Sequence, residues 1–274
     1  MLTWKKLRLL LSLVSLSALA NAAPLVYGVT DSNQFGTVDV MSGAFQLINT
    51  TPNLQFGIVP GPNGFLSLSS NGLLISINPT NGVTSVIGDT GLGVLSSDIA
   101  AVGGTTYIID TNNKLYAVNT ATAALTLIGS TGIPGVVNPA SAQYDDSLTG
   151  FGGSLYYTFD TTGVAPALYK INPLTGAAAR VGPTLHGIDA SVLVNGTFYV
   201  FDAVGGGPTT NQEFTLELGT GNTTFVTNID PHATALFGAA TVPEPASIAL
   251  TGVGMVVLWV FRRLRTAVMN QDTE

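Results

Sequence analysis

From Leu25 to Ala240 the chain runs in short apolar and β-branched stretches of alternating polarity, cut by Gly, Asn, Asp and Pro. Runs of this period, bounded in this way, predict strands rather than helices. They fall into five similar segments: LVYGVT from Leu25, FLSLSS from Phe65, TTYIID from Thr105, LYYTFD from Leu155 and TFYVFD from Thr197. Their starts lie 40, 40, 50 and 42 residues apart. Each segment reads as a strand, a polar turn, a second strand ending in N-P-x-x-G or a relative, and a third strand that often closes on Ile-Gly. One further strand follows each segment: FGIVPG, SSDIAAVGG, ASAQYDDSLTGFGG, GIDASVLVNG and ATALFGAA.

The stretch LYKINPLTGAAARV shows the logic. Leu168, Lys170 and Asn172 point one way and Tyr169 and Ile171 the other,. Pro173 fixes φ at a turn position, and Gly176 can take φ > 0 where the chain reverses. The corresponding turns are DVMSG (39–43), NPTNG (78–82), NTATA (119–123) and ELGTG (217–221). Ala123 replaces the final Gly, so that turn is expected to differ. A period of 40 to 45 residues with four strands is the period of a propeller blade. Such a sheet cannot bury both faces alone, and a ring of them can. The chain opens on a second strand, LVYGV, and closes on an inter-segment strand, ATALFGAA, so the two can complete one blade jointly. The expectation is an all-β propeller of five four-stranded blades. An open β array or a two-sheet sandwich is the alternative, and the insertion around Val136 to Ser147 could shift the count by one. The repeat wording, best seen in Leu168 to Gly176, resembles loosely defined propellers of secreted bacterial proteins, a resemblance that speaks to fold and not to ligand.

Composition narrows the function. The 274 residues include no Cys, 32 Gly and only 9% charged residues. Between Pro24 and Thr241 stand three basic residues, Lys114, Lys170 and Arg180, against thirteen acidic ones, a formal charge of −10. No basic footprint for nucleic acid exists there, nor steering toward an anionic membrane surface. Without Cys there is neither a disulfide framework nor thiol catalysis. The remaining basic residues sit at the two ends. Lys5, Lys6 and Arg8 precede an apolar run from Leu9 to Ala20 and the small-residue site Ala20-Asn21-Ala22. That order predicts a secretory signal helix over 1–22, cut by signal peptidase after Ala22 or, as second choice, after Ala23. An uncleaved amphipathic helix is the alternative.

Candidate chemistry in the middle is thin. Asp110, Asp160 and Asp202 each stand three residues after Tyr107, Tyr157 and Tyr199, with Asp31 a looser match after Tyr27. These Asp residues are expected to accept backbone N–H groups of the following turn. Calcium ligation is the sharper alternative, but no D-x-D-x-D-G loop is present. The Tyr residues are expected to pack rather than to stack on carbohydrate. His186 (with Asp189 near it), His232 after Asp230, and the pair Asp145-Asp146 are the other candidates. No nucleophile elbow, phosphate loop or clustered metal ligands accompany them. The sequons at Asn49, Asn195 and Asn222 carry no reading in a bacterial context. The middle, residues 23–241, therefore reads as a non-enzymatic domain needing no cofactor or metal. A secreted hydrolase or lyase on the same scaffold is the alternative.

The other end is more specific. Val242-Pro243-Glu244-Pro245 breaks the chain rigidly,. Ala246 to Phe261 is uncharged and would span about 24 Å as a transmembrane helix, short of the ~30 Å hydrocarbon core. Arg262, Arg263 and Arg265 follow and are expected to stay cytoplasmic, with 266–274 as the tail,. This order closely resembles the PEP-CTERM sorting signal over residues 242–265, with Ala246-Ser247 and the glycines Gly252 and Gly254 also matching; the tail past Arg265 is longer than usual. The resemblance implies an exosortase of Gram-negative bacteria as processing partner and a precursor anchored in the inner membrane. It also implies removal of the tail near the motif and release to the envelope or an extracellular polysaccharide (biofilm) matrix. A plain single-pass anchor is the alternative. Extracellular polysaccharide is the expected partner of the repeat domain.

Overall fold

A computed structural model describes residues 24–93, 98–134, 146–161, 164–184, 187–203, 211–230 and 232–241. The expected signal helix with Ala20, Ala22 and Ala23, and the tail from Val242 to Arg265 and beyond, lie outside the described residues. The chain divides into two units between Thr241 and Val242.

Every described element is a strand, and twenty strands form five antiparallel sheets of four. The first sheet takes β1 (Leu25–Thr30), β2 (Gln34–Asp39) and β3 (Phe45–Thr50). The second is β4 (Gln55–Gly61), β5 (Gly64–Ser69), β6 (Leu73–Ile77) and β7 (Thr84–Asp89). The third is β8 (Asp98–Val102), β9 (Thr105–Ile109), β10 (Lys114–Val118) and β11 (Leu125–Ser130). The fourth is β12 (Asp146–Phe151), β13 (Ser154–Thr161), β14 (Val164–Ile171) and β15 (Ala178–Pro183). The fifth is β16 (Ala190–Val194), β17 (Thr197–Ala203), β18 (Asn211–Leu216) and β19 (Thr223–Asn228). The last strand, β20 (Leu236–Thr241), returns to the first sheet and pairs with β1, Val26 opposite Thr241 and Tyr27 opposite Ala240. The sheet order is β20-β1-β2-β3. The five-blade propeller and its joint closing blade are thus both present. The inner strands β4, β8, β12, β16 and β20 touch in turn and complete the circle.

Burial explains why the sheets need each other. Five apolar clusters fill the five seams between neighbouring blades. Leu66, Leu68 and Leu74 of blade 2 meet Ile99, Ile108 and Val118 of blade 3. Tyr107, Ile109 and Leu115 of blade 3 meet Leu155, Tyr157 and Tyr169 of blade 4. Ile108 therefore faces one neighbour while Tyr107 and Ile109 face the other, as a period of two requires. Leu168 likewise faces blade 5 while Tyr169 and Ile171 face blade 3.

The turns seal the rim. In each five-residue turn the last N–H returns to the first C=O at 2.8 Å: Gly43 to Asp39, Gly82 to Asn78, Ala123 to Asn119, Gly176 to Asn172, Gly221 to Glu217. The Asp or Asn side chain that opens four of them accepts the N–H two residues on, for example Leu174 to Asn172 at 2.8 Å,. The turn at Ala123 was expected to differ and does not. Ala123 adopts the same left-handed conformation, φ 63°. Its fully buried methyl joins the seam between blades 2 and 3, which offsets part of a strain of about 1–2 kcal/mol,.

The Ile-Gly ending of the outer strands has two causes. Ile48, Ile87, Ile128, Val181 and Val226 are each skipped where the outer strand pairs, so each outer strand carries a bulge. Bulges bend exposed edges away from pairing with other chains. The glycine after the bulge lies under the next blade's turn. A Cβ on Gly182 would stand 1.8 Å from the carbonyl oxygen of Thr220, and one on Gly129 would stand 2.4 Å from that of Thr175. Gly182→Ala is therefore expected to cost about 2–3 kcal/mol of unfolding free energy. Gly219→Ala, where nothing lies within 4 Å, should change it by less than about 0.5 kcal/mol. Urea unfolding of both variants checks the difference.

Candidate functional site

The central channel is the concave feature that all five blades build. Its walls are the inner strands, and their sequences are rich in Gly, Ala, Ser and Thr because five strands converge closely. A Cβ on Gly238 would meet the Gly57 backbone at 2.7 Å, and one on Gly150 would meet the Ala101 carbonyl oxygen at 2.1 Å. The small residues are what let the ring close at this radius.

Toward the start of the inner strands, side chains bond, most of them from blade to blade. The Leu148 N–H of blade 4 donates to Asp98 Oδ2 of blade 3 at 2.5 Å, and the Ile99 N–H donates to Asp98 Oδ1 at 2.6 Å. Ser147 and Ser191 share a hydrogen bond of 2.6 Å between blades 4 and 5, and Thr149 Oγ1 donates to the Ser191 carbonyl at 3.1 Å. The Tyr157 hydroxyl donates to Asp146 Oδ2 at 2.9 Å. Burial pushes the Asp98 carboxyl well above the usual carboxylate range, and the Asp146 charge adds to this against the donated N–H groups. Burial also raises the Tyr157 phenol, again with Asp146 contributing. Asp98 (4% exposed) is thus a buried tie between blades 3 and 4, and Asp146 (7%) a buried tie between β12 and β13 within blade 4.

The middle and last residues of the inner strands line a cavity of about 220 Å³, which shares Leu148, Thr149 and Ser191 with those bonds. Its lining comes from all five strands, among them Ile58, Ala100, Leu148, Val192 and Ala240, with hydroxyls from Thr149, Ser191 and Thr241. Among the described residues no ionisable side chain lines it. The volume is below the ~300–1,000 Å³ usual for a drug-sized ligand.

The candidates from sequence distribute as follows. Tyr107 and Tyr157 are buried in the seam between blades 3 and 4, and Tyr199 packs against the seam between blades 5 and 1. They are packing residues, as expected. Asp110 accepts the N–H groups of Asn112 at 3.0 Å and Lys114 at 2.8 Å, the expected turn role. In blade 1 that role falls to Thr30, whose hydroxyl accepts the Gln34 N–H at 3.2 Å, and not to Asp31. Ser69 does the same in blade 2, accepting from Leu73 at 3.2 Å. Asp202 is buried and Asp160 half-buried at the corresponding strand ends. His232 is exposed, and its ring bonds Asp230 at 2.7 Å within its own turn. The His232 backbone N–H, then its ring, hold the Asp230 carboxyl below the ordinary range. Asp189 is buried just before β16, while Asp145 and His186 lie outside the described residues. Among the described residues no three of His, Asp and Glu gather closely enough to hold a metal ion. Sequence reasoning missed Asp98, because its partner is fifty residues away and no local pattern announces it.

The chain leaves the domain at the cavity end. Thr241 closes β20 and lines the cavity mouth, and residues 241–265 match the PEP-CTERM protein-sorting motif. The chain is an exported protein carrying a PEP-CTERM sorting signal. No curated protein matches it. The PEP-CTERM match begins on the final residue of the ring-closing strand, so the signal follows the propeller with no intervening linker. Such a motif marks exosortase processing. Among the described residues no helix is long and apolar enough to cross a membrane, and Ala246 to Phe261 lies outside them.

Replacing Tyr157 by Phe removes the hydroxyl that Asp146 accepts. The expected cost is about 1–3 kcal/mol, because a buried carboxyl loses a partner. Thermal unfolding of the variant, set against Tyr116→Phe at the less buried counterpart that bonds Asp110, checks it.

Proposed function

We propose that the mature chain is a surface-sorted, non-enzymatic propeller that serves as a structural or binding component of the envelope or of an extracellular polysaccharide matrix. One observation carries the reading: the sorting signal starts where the closing strand stops. A cut anywhere beyond Thr241 leaves all five blades whole. The N-terminal side is consistent with this. The Pro24 carbonyl accepts the Val40 N–H at 3.1 Å, so signal-peptidase cleavage after Ala22 or Ala23 spares the first strand and its contacts.

The two ends of the ring differ in their connections. The inner strands end at one mouth of the channel. Because β1 runs antiparallel to β20, the chain enters and leaves on that same face. Each outer strand ends on the opposite face, and the connections that follow are long in sequence, such as 131–145 and 229–235. Weak contacts repeated around such a face suit a long polysaccharide better than a single small ligand. The acidic, low-charge domain disfavours polyanions, so a neutral or cationic polymer is the better partner.

Mass spectrometry of surface-located protein is expected to find an N-terminus at Ala23 or Pro24 and no residues beyond about Ala246. The same material should be retained by the producing cell's own polysaccharide. Abundant Arg262–Glu274 peptides on surface molecules would point to a plain anchor instead. Turnover of that polysaccharide rather than retention would favour the hydrolase or lyase alternative.

A further inference from the structure

The five blades align through the first residue of each rim turn: Asp39, Asn78, Asn119, Asn172 and Glu217. Four residues earlier the third strands carry Phe35, Leu74, Leu115, Leu168 and Glu213. The first four are fully buried apolar side chains, each facing the next blade. Glu213 is equally buried, at 0% exposure. A carboxyl group therefore occupies the place of a leucine in the seam between blade 5 and blade 1, the blade that closes the ring.

Among the described residues the surroundings offer the carboxyl no hydrogen-bond partner. Its cross-strand neighbours are Phe201 and Thr227, and cross-strand partners share a face. Phe201 belongs to the apolar cluster that includes Val38, Val40, Ile229 and Ala233. Both carboxyl oxygens lack a hydrogen bond. The titratable groups on the elements around it are Asp39 at the end of β2, Asp202 on β17, and Asp230 and His232 in the connection before β20. None brings a Lys or Arg: the domain's three cations are Lys114 on blade 3 and Lys170 and Arg180 on blade 4.

We propose that Glu213 is a pH-sensitive latch on the closing seam, holding blade 5 against blade 1 while its carboxyl is protonated and loosening the ring when it ionises. Burial pushes this carboxyl from an ordinary 4.5 up to about 8, and the Asp39 charge adds to the shift. A folded value above the unfolded one means that the native state holds the extra proton across that interval. Stability is then fully present below about pH 4.5, falls as pH rises toward 8, and levels off above it,. An uncompensated charge in an apolar seam is the physical reason.

The test is thermal unfolding of the full chain in detergent from pH 5 to pH 9, for the wild type, Glu213→Leu and Glu213→Gln. Leucine is the residue that three sister blades accept at this place, and glutamine keeps the shape without the charge. The wild-type melting temperature is expected to fall across this range by about 10 °C more than that of either variant. Other buried groups such as Asp98 titrate alike in all three proteins and cancel in the comparison. Parallel pH profiles for the three proteins would overturn the proposal, and either variant alone suffices if the other does not fold.

Discussion

The ring closure is the constraint on which the rest depends. A four-stranded blade has two apolar faces and no means of covering either by itself. Each seam supplies the cover for two faces, so five blades need five seams, and the fifth exists only if the last strand of the domain returns to the first. The pairing of β20 with β1 provides that return. It turns a linear array with two bare ends into a circle with none. Because the closing blade draws strands from both ends of the domain, loss of either end exposes apolar surface on both sides of blade 1.

Closure at this radius has its own requirements, and they account for much of the composition. Five inner strands meet at a narrow axis, so Gly57, Gly150 and Gly238 stand where a side chain would strike a neighbouring strand. At the rim, Gly129 and Gly182 leave room for the following blade's turn. Asp98 spans blades 3 and 4 from the inside, and Ser147 and Ser191 span blades 4 and 5. The same economy leaves a small, uncharged cavity at the mouth from which the chain departs. The sorting signal follows directly on the last residue of the ring-closing strand.

Most of the fold was legible because its determinants are local and repeated. The alternation, the N-P-x-x-G turns and the spacing of about 40 residues each mark a strand or a reversal, and the incomplete first and last segments announce the joint blade. The sorting signal was legible for the same reason, being a linear order of residue types. Features that depend on residues far apart were not. The Asp31 assignment followed sequence spacing from Tyr27, whereas the turn geometry places Thr30 in that role. The contact from Asp98 to Leu148 joins different blades. Glu213 becomes conspicuous only when the blades are aligned on their rim turns, because alignment on the Tyr and Asp of the second strand hides it. A partner for the domain was not legible because recognition by loops leaves no fixed spacing to read.

The most direct measurement of the closure claim is cooperative unfolding of two shortened chains, one ending at Thr241 and one ending at Ala235. Closure by β20 predicts a single sharp transition for the first. For the second it predicts loss of that transition, with rapid amide exchange in β1 and in both seams that flank it. Equal melting temperatures and equal exchange protection in the two chains would contradict the account.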